Sequence, residues 1–96
     1  GEHALKVPQG PLIRAIVLMD GKIIRNISLT GSIHCIPVQL VEEMEAGIRG
    51  IEGREEAVNE VIQKLFRRPG VQAAGCSPEN FVQAILTAVE KTKKAE

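Results

Sequence analysis

Two runs of β-branched residues, joined through Asp20-Gly21, constrain this chain more than any other feature. Residues 11–20 read PLIRAIVLMD and residues 22–30 read KIIRNISLT. Asp-Gly between two such runs signals a two-residue hairpin, because both central turn positions favour positive φ. A turn at Asp20-Gly21 sets Leu18 opposite Ile23, Ile16 opposite Arg25, Arg14 opposite Ile27 and Leu12 opposite Leu29. The other face then carries Ile13, Ala15, Val17, Met19 and Ile24, with Lys22, Asn26 and Ser28. In this register both faces are largely apolar. A hairpin with one solvated face alternates more cleanly, so cover is expected on each side. Residues 3–8, HALKVP, suit a short third strand, set off from the hairpin by Pro8, Gly10 and Pro11.

After Gly31 the apolar period changes from 2 to 3.6. Leu40, Val41, Met44 and Ile48 form the stripe of a helix over about 38–49, with Pro37 in its first turn. Gly50 and Gly53 end it. A second stripe, Ala57, Val58, Val61, Ile62, Leu65 and Phe66, spans about 54–66 and stops at Arg67-Arg68-Pro69-Gly70. Ser77-Pro78-Glu79 reads as an N-cap, a first-turn proline and an acidic second residue, followed by the stripe Phe81, Val82, Ile85, Leu86 and Val89. Strands followed by helices predict an α+β fold: one domain over 1–96, with a small antiparallel sheet packed by two to three helices.

Composition narrows the function. The 96 residues bury roughly 65% of their unfolded surface on folding, enough for one core. Phe66 and Phe81 are the only aromatics, so the core is aliphatic and stacking platforms for nucleic-acid bases are missing. Twelve Lys and Arg balance twelve Asp and Glu, leaving no global field to draw the chain onto nucleic acid or a membrane. Lys91, Lys93 and Lys94 read as a solvated helix end, where cations suit the helix dipole. Cys35 and Cys76 lack paired spacing and read as reduced thiols in a cytoplasmic protein.

The stretch LTGSIHCIP, residues 29–37, holds Ser32, His34 and Cys35 together and could be a catalytic turn, a metal site or a strand-to-helix corner. A nucleophile elbow needs a small residue where Ile33 stands, and the only other histidine is His3. A metal centre needs three or four ligands, and the soft supply is His3, His34, Cys35 and Cys76, without paired spacing. A strand-to-helix corner fits best, and no catalytic or metal-ligating residue is expected. Glu45 lies beside the first helix stripe and is a candidate for a specific contact. Glu42 and Glu43 read as a solvated face.

A family pattern runs through these residues. Lys6-Val7-Pro8-Gln9-Gly10-Pro11-Leu12-Ile13-Arg14, then Asp20-Gly21-Lys22-Ile23, Ile27-Ser28-Leu29-Thr30-Gly31, Pro37, Met44-Glu45 and Ile48-Arg49-Gly50 resemble the C-terminal accessory domain of lipoate-protein ligases. That family reads K-x-P-G-G-L, Ile or Val, R; a hairpin with D-G-K-I; a strand ending in Ser or Thr, then G-D-F-F; and a helix with L-E-x-x-L-x-G. Cys76-Ser77-Pro78-Glu79-Asn80-Phe81 is similar to its last helix start. The resemblance covers about residues 5–90. Standing alone, the domain resembles the small subunit of split ligases of archaea and some bacteria.

The resemblance implies a SufE/NifU-like α+β fold and an accessory role. The catalytic large subunit would bind lipoate, ATP and Mg2+, form lipoyl-AMP and pass the lipoyl group to an acceptor such as glycine cleavage H protein or a 2-oxoacid dehydrogenase E2. The small subunit, with no cofactor of its own, would be needed for adenylation. Two departures stand out: Pro11 replaces the second glycine, and Gly31-Ser32-Ile33-His34 replaces G-D-F-F. Lys6, Gln9, Gly10, Arg14, Ser32 and His34 are the residues expected at the partner interface, together with an exposed sheet face. A sulfur-acceptor or iron–sulfur scaffold role through Cys35 or Cys76 is the alternative; a homodimeric interaction module is a further one.

Overall fold

The computed structural model describes residues 1–95. Strands β1 (Glu2–Lys6), β2 (Leu12–Asp20) and β3 (Ile23–Gly31) form an antiparallel sheet in the order β1-β2-β3. A two-residue strand β4 (Cys35–Ile36) follows, then helices α1 (Leu40–Ile48) and α2 (Glu55–Phe66). Strand β5 (Gln72–Ala73) pairs antiparallel with β4, and α3 (Pro78–Ala95) closes the fold. The α+β architecture is as the residue order predicts. The small β4–β5 sheet is not predicted, because two-residue strands carry no readable period.

The hairpin forms with a different register from the expected one. Asp20 pairs with Ile23, so the turn residues are Gly21 and Lys22, and only Gly21 takes positive φ, at 58°. Asp20 thereby stays in the strand. The pairing then slips: Met19 faces Ile24, whereas Leu18 faces Asn26, which leaves Arg25 as the extra residue of a β-bulge. The bulge has a packing reason. Strand residues three apart point to opposite faces, yet Ile24 and Ile27 are both buried. One inserted residue turns Ile27 and Leu29 onto the same face as Ile13, Ala15 and Val17. The expected hairpin with two apolar faces is therefore corrected. One face is core; the other mixes Arg14, Asn26, Ser28 and Thr30 with exposed Ile16 and Leu18.

Helix α3 lies over β1 and β2, α1 lies over β3, and α2 bridges α1 and α3. Their buried stripes are Leu40, Met44 and Ile48 on α1, Val58 and Ile62 on α2, and Phe81, Ile85, Ala88 and Val89 on α3. Phe66 packs against Phe81 with ring centroids 5.9 Å apart. Helix α1 begins at Leu40, so Pro37 precedes it and is not part of its first turn; the Ile36–Pro37 peptide is cis. The α3 start is as expected. Asn80 Oδ1 accepts the Ser77 backbone N–H at 2.8 Å, the reciprocal half of a capping box with Asn standing for Glu.

The outer edge of β3 is covered. Ile24 N–H donates to Ile51 O, Gly50 N–H to Ile24 O, and Gly53 N–H to Lys22 O, at 2.8–2.9 Å. Farther along, Glu45 Oε2 on α1 accepts the Leu29 N–H at 2.7 Å, the specific contact its position beside the stripe suggested. Among the described residues, no helix is long and apolar enough to cross a membrane.

Candidate functional site

One end of the molecule gathers three connections: the turn 7–11 between β1 and β2, the corner 31–39 between β3 and α1, and residues 70–77 around β5. The turn closes on itself through Val7 N–H to Pro11 O at 3.0 Å and Gly10 N–H to Val7 O at 2.9 Å. Gln9 takes φ of 59°, unusual for a residue with a Cβ, and its side chain is exposed. A Cβ on Gly10 would run into the Gly75 carbonyl oxygen, so glycine is what lets turn 7–11 seat against the 74–75 turn. Gly31 is equally confined: at φ 124° it lies against the Leu12 carbonyl. The corner is tied to the 70–77 segment by β4–β5 pairing and by Ala74 N–H donating to His34 O at 2.9 Å.

Five of the six residues expected at an interface sit at this end. Two of them are engaged internally. Lys6 Nζ donates to Val7 O at 2.9 Å and to Gly10 O, so its ammonium holds the turn. Ser32 and Leu12 exchange bonds: Leu12 N–H donates to Ser32 Oγ at 3.0 Å, and Ser32 N–H to Leu12 O at 3.1 Å. Gln9 and the His34 side chain are exposed, and Gly10 is half-buried. Arg14 lies apart, on the outer sheet face, where its guanidinium meets Glu2 at 3.4 Å. A hollow of about 270 Å3 opens beside His34, lined also by Cys35, Ile36, Gln72 and Ala74.

The residue reading misses the two most exposed large apolar side chains, Ile36 at 57% and Val38 at 79%. They flank Pro37 at this same end. Ile36 falls in the expected corner 29–37 and Val38 at the start of the expected helix over 38–49. A signal was present for Val38, since it lies off the stripe of Leu40, Met44 and Ile48.

Both thiols are held toward the protonated form. Cys35 is 8% exposed, and its pKa is pushed up by burial and, secondarily, by the nearby Cys76. Burial also pushes Cys76 up. A raised pKa depletes the nucleophilic thiolate, which counts against sulfur transfer. Among the described residues, no group of three or more His, Cys, Asp or Glu side chains is placed to hold a metal ion. The site offers contact surface around His34, Ile36 and Val38.

No family model matches the chain. It is 31% identical to lipoate-protein ligase A subunit 2 of Thermoplasma acidophilum, over 77% of this chain and 76% of that protein. The chain belongs to the lipoate-protein ligase A subunit 2 family. Its fold also matches one chain in a solved structure of a bi-partite lipoate protein ligase and its E2 lipoyl domain from the same organism. That match has a TM-score of 0.79 and 28% identity, and covers 88% of this chain and 92% of that one. In this member of the subunit 2 family, Pro11 and Ser32-Ile33-His34, where the sequence departs from the pattern, fall at the end just described.

Proposed function

We propose that this chain is a non-catalytic accessory subunit of a two-part lipoate-protein ligase. The observation that carries the reading is the match over nearly the full length of both chains to a component of a bi-partite ligase. The catalytic subunit holds lipoate, ATP and Mg2+ and forms lipoyl-AMP in the cytoplasm. The lipoyl group then passes to a lysine of an acceptor, either glycine cleavage H protein or a 2-oxoacid dehydrogenase E2. The small subunit acts by ordering the adenylation site, since closure that completes a site and excludes water raises rate without supplying a reactive group.

Contact with the catalytic subunit is made by the end that carries Gln9, His34, Ile36 and Val38, with Lys6, Gly10 and Ser32 shaping it. Arg14 extends the contact onto the outer sheet face. Exposed aliphatic side chains on a backbone pinned by β4–β5 pairing suit a preorganised anchor.

Reconstitution tests this reading. The chain is mixed with the catalytic subunit from the same source, and lipoate-dependent pyrophosphate release is followed. A complex on gel filtration and at least about a tenfold rise in rate, equivalent to about 1.4 kcal/mol off the barrier, is expected. An unchanged rate with no complex overturns the proposal.

A further inference from the structure

We infer that β1 is a self-complementary edge through which two copies of this chain pair into one continuous six-stranded antiparallel sheet. The inference is independent of the ligase role.

The phase of the β1–β2 ladder decides which backbone groups are free. Gly1 and Val17 exchange both hydrogen bonds, at 2.9 and 2.8 Å, and Val7 N–H donates to Pro11 O. Such pairs recur at every second residue. Gly1, His3, Leu5 and Val7 therefore turn their backbone groups toward β2, and Glu2, Ala4 and Lys6 turn theirs outward. None of these outward N–H and C=O groups has a partner among the described residues. The opposite edge of the sheet is treated differently. There, residues 50–53 take up the Ile24 N–H and C=O and the Lys22 C=O, Asn26 Oδ1 accepts the Ile27 N–H, and the Glu45 carboxylate accepts the Leu29 N–H. One edge is closed and the other left open, with no bulge or proline within β1 to blunt it.

The strand sequence EHALK fits a second copy of itself. In an antiparallel register centred on Ala4, Glu2 faces Lys6 of the second copy, His3 faces Leu5, and Ala4 faces Ala4. This register brings all three outward-facing residues into hydrogen-bonded pairs, and each pair exchanges two backbone bonds. Shifting it by two residues in either direction loses one pair. Ala4 leaves no bulk on the two-fold axis. Charged side chains, Lys above all, normally blunt an edge; in this register each charge on β1 faces an opposite one. Within one copy Glu2 meets Arg14 and Lys6 meets the turn carbonyls, and both side chains are exposed. Exposed ion pairs contribute little strength, so these charges select the register and the backbone bonds hold it. The interface is isologous, as a two-fold dimer requires.

Sedimentation equilibrium on the full chain tests the pairing. As concentration rises into the millimolar range, the mass should approach twice that of one chain. The Ala4 and Lys6 amides should exchange more slowly with deuterium over the same range. Ala4→Pro removes an N–H that β2 does not use, so it should keep the thermal melt and abolish the dimer. Glu2→Lys should weaken association several-fold, and the Glu2→Lys/Lys6→Glu pair should restore it, a readout that does not depend on proline being tolerated. A wild-type chain that stays monomeric throughout overturns the inference, as does a dimer indifferent to both substitutions. A monomeric chain whose capture by a ligase catalytic subunit is lost on Ala4→Pro also overturns it, because the edge would then belong to that subunit's strand.

Discussion

The Glu45 carboxylate does for β3 what a neighbouring strand would do. It accepts the Leu29 N–H at 2.7 Å where the sheet has ended. Glu45→Ala should orphan that donor and cost about 1–2 kcal/mol in urea unfolding, whereas Glu45→Gln keeps an acceptor and most of the stability. The cysteines make a second residue-scale prediction. Their folded pKa values lie above the ordinary 9.0, so the thiol form is favoured in the folded chain. The stability this contributes is fully present below pH 9 and is lost as pH rises through the folded values, because the unfolded chain ionises first. A fall in melting temperature above pH 9, reduced in Cys35→Ala, is expected. At neutral pH, Cys35 should react with a disulfide reagent far more slowly in the native protein than in denaturant. Glu45 was legible as a residue beside its stripe, but its partner was not, because the strand that supplies the N–H lies sixteen residues earlier.

The elements were largely readable, and their edges were not. Helix α2 spans Glu55–Phe66 against an expected 54–66, and α3 starts at Pro78 as its cap foretold. These follow from local chemistry: a 3.6 period, an N-cap and a Pro-Gly stop. The hairpin register failed for a physical reason. Turn chemistry alone favoured Asp20-Gly21, while burial of Ile27 and Leu29 required the bulge at Arg25. Deleting Arg25 leaves Ile24 and Ile27 two positions apart, on the same face of a regular strand, so the variant should still fold, with little change in urea unfolding. Gly31 belongs to the same scale. Its positive φ and its contact with the Leu12 carbonyl make Gly31→Ala destabilising by about 1–3 kcal/mol, measured by denaturant unfolding.

At the scale of the whole molecule, turn 7–11, the corner at Ile36-Pro37-Val38 and the 70–77 segment form one surface, although they are far apart in the chain. Ile36→Asp/Val38→Asp should leave the melting temperature nearly unchanged, because exposed side chains rarely contribute more than about 0.5 kcal/mol. Capture of the ligase catalytic subunit by the same variant should fall at least about tenfold. Of the expected interface residues, Gln9 and His34 present their side chains freely, while Lys6 and Ser32 hold the turn and the strand ends. Residue order was enough for the strands-then-helices plan, the α2 span, the α3 start and the family pattern, because each rests on local spacing. The bulged register, the β4–β5 sheet, the closed and open sheet edges and the exposed Ile36–Val38 knob were decided only in the folded chain. Each depends on which distant segments meet, and burial across the core sets that.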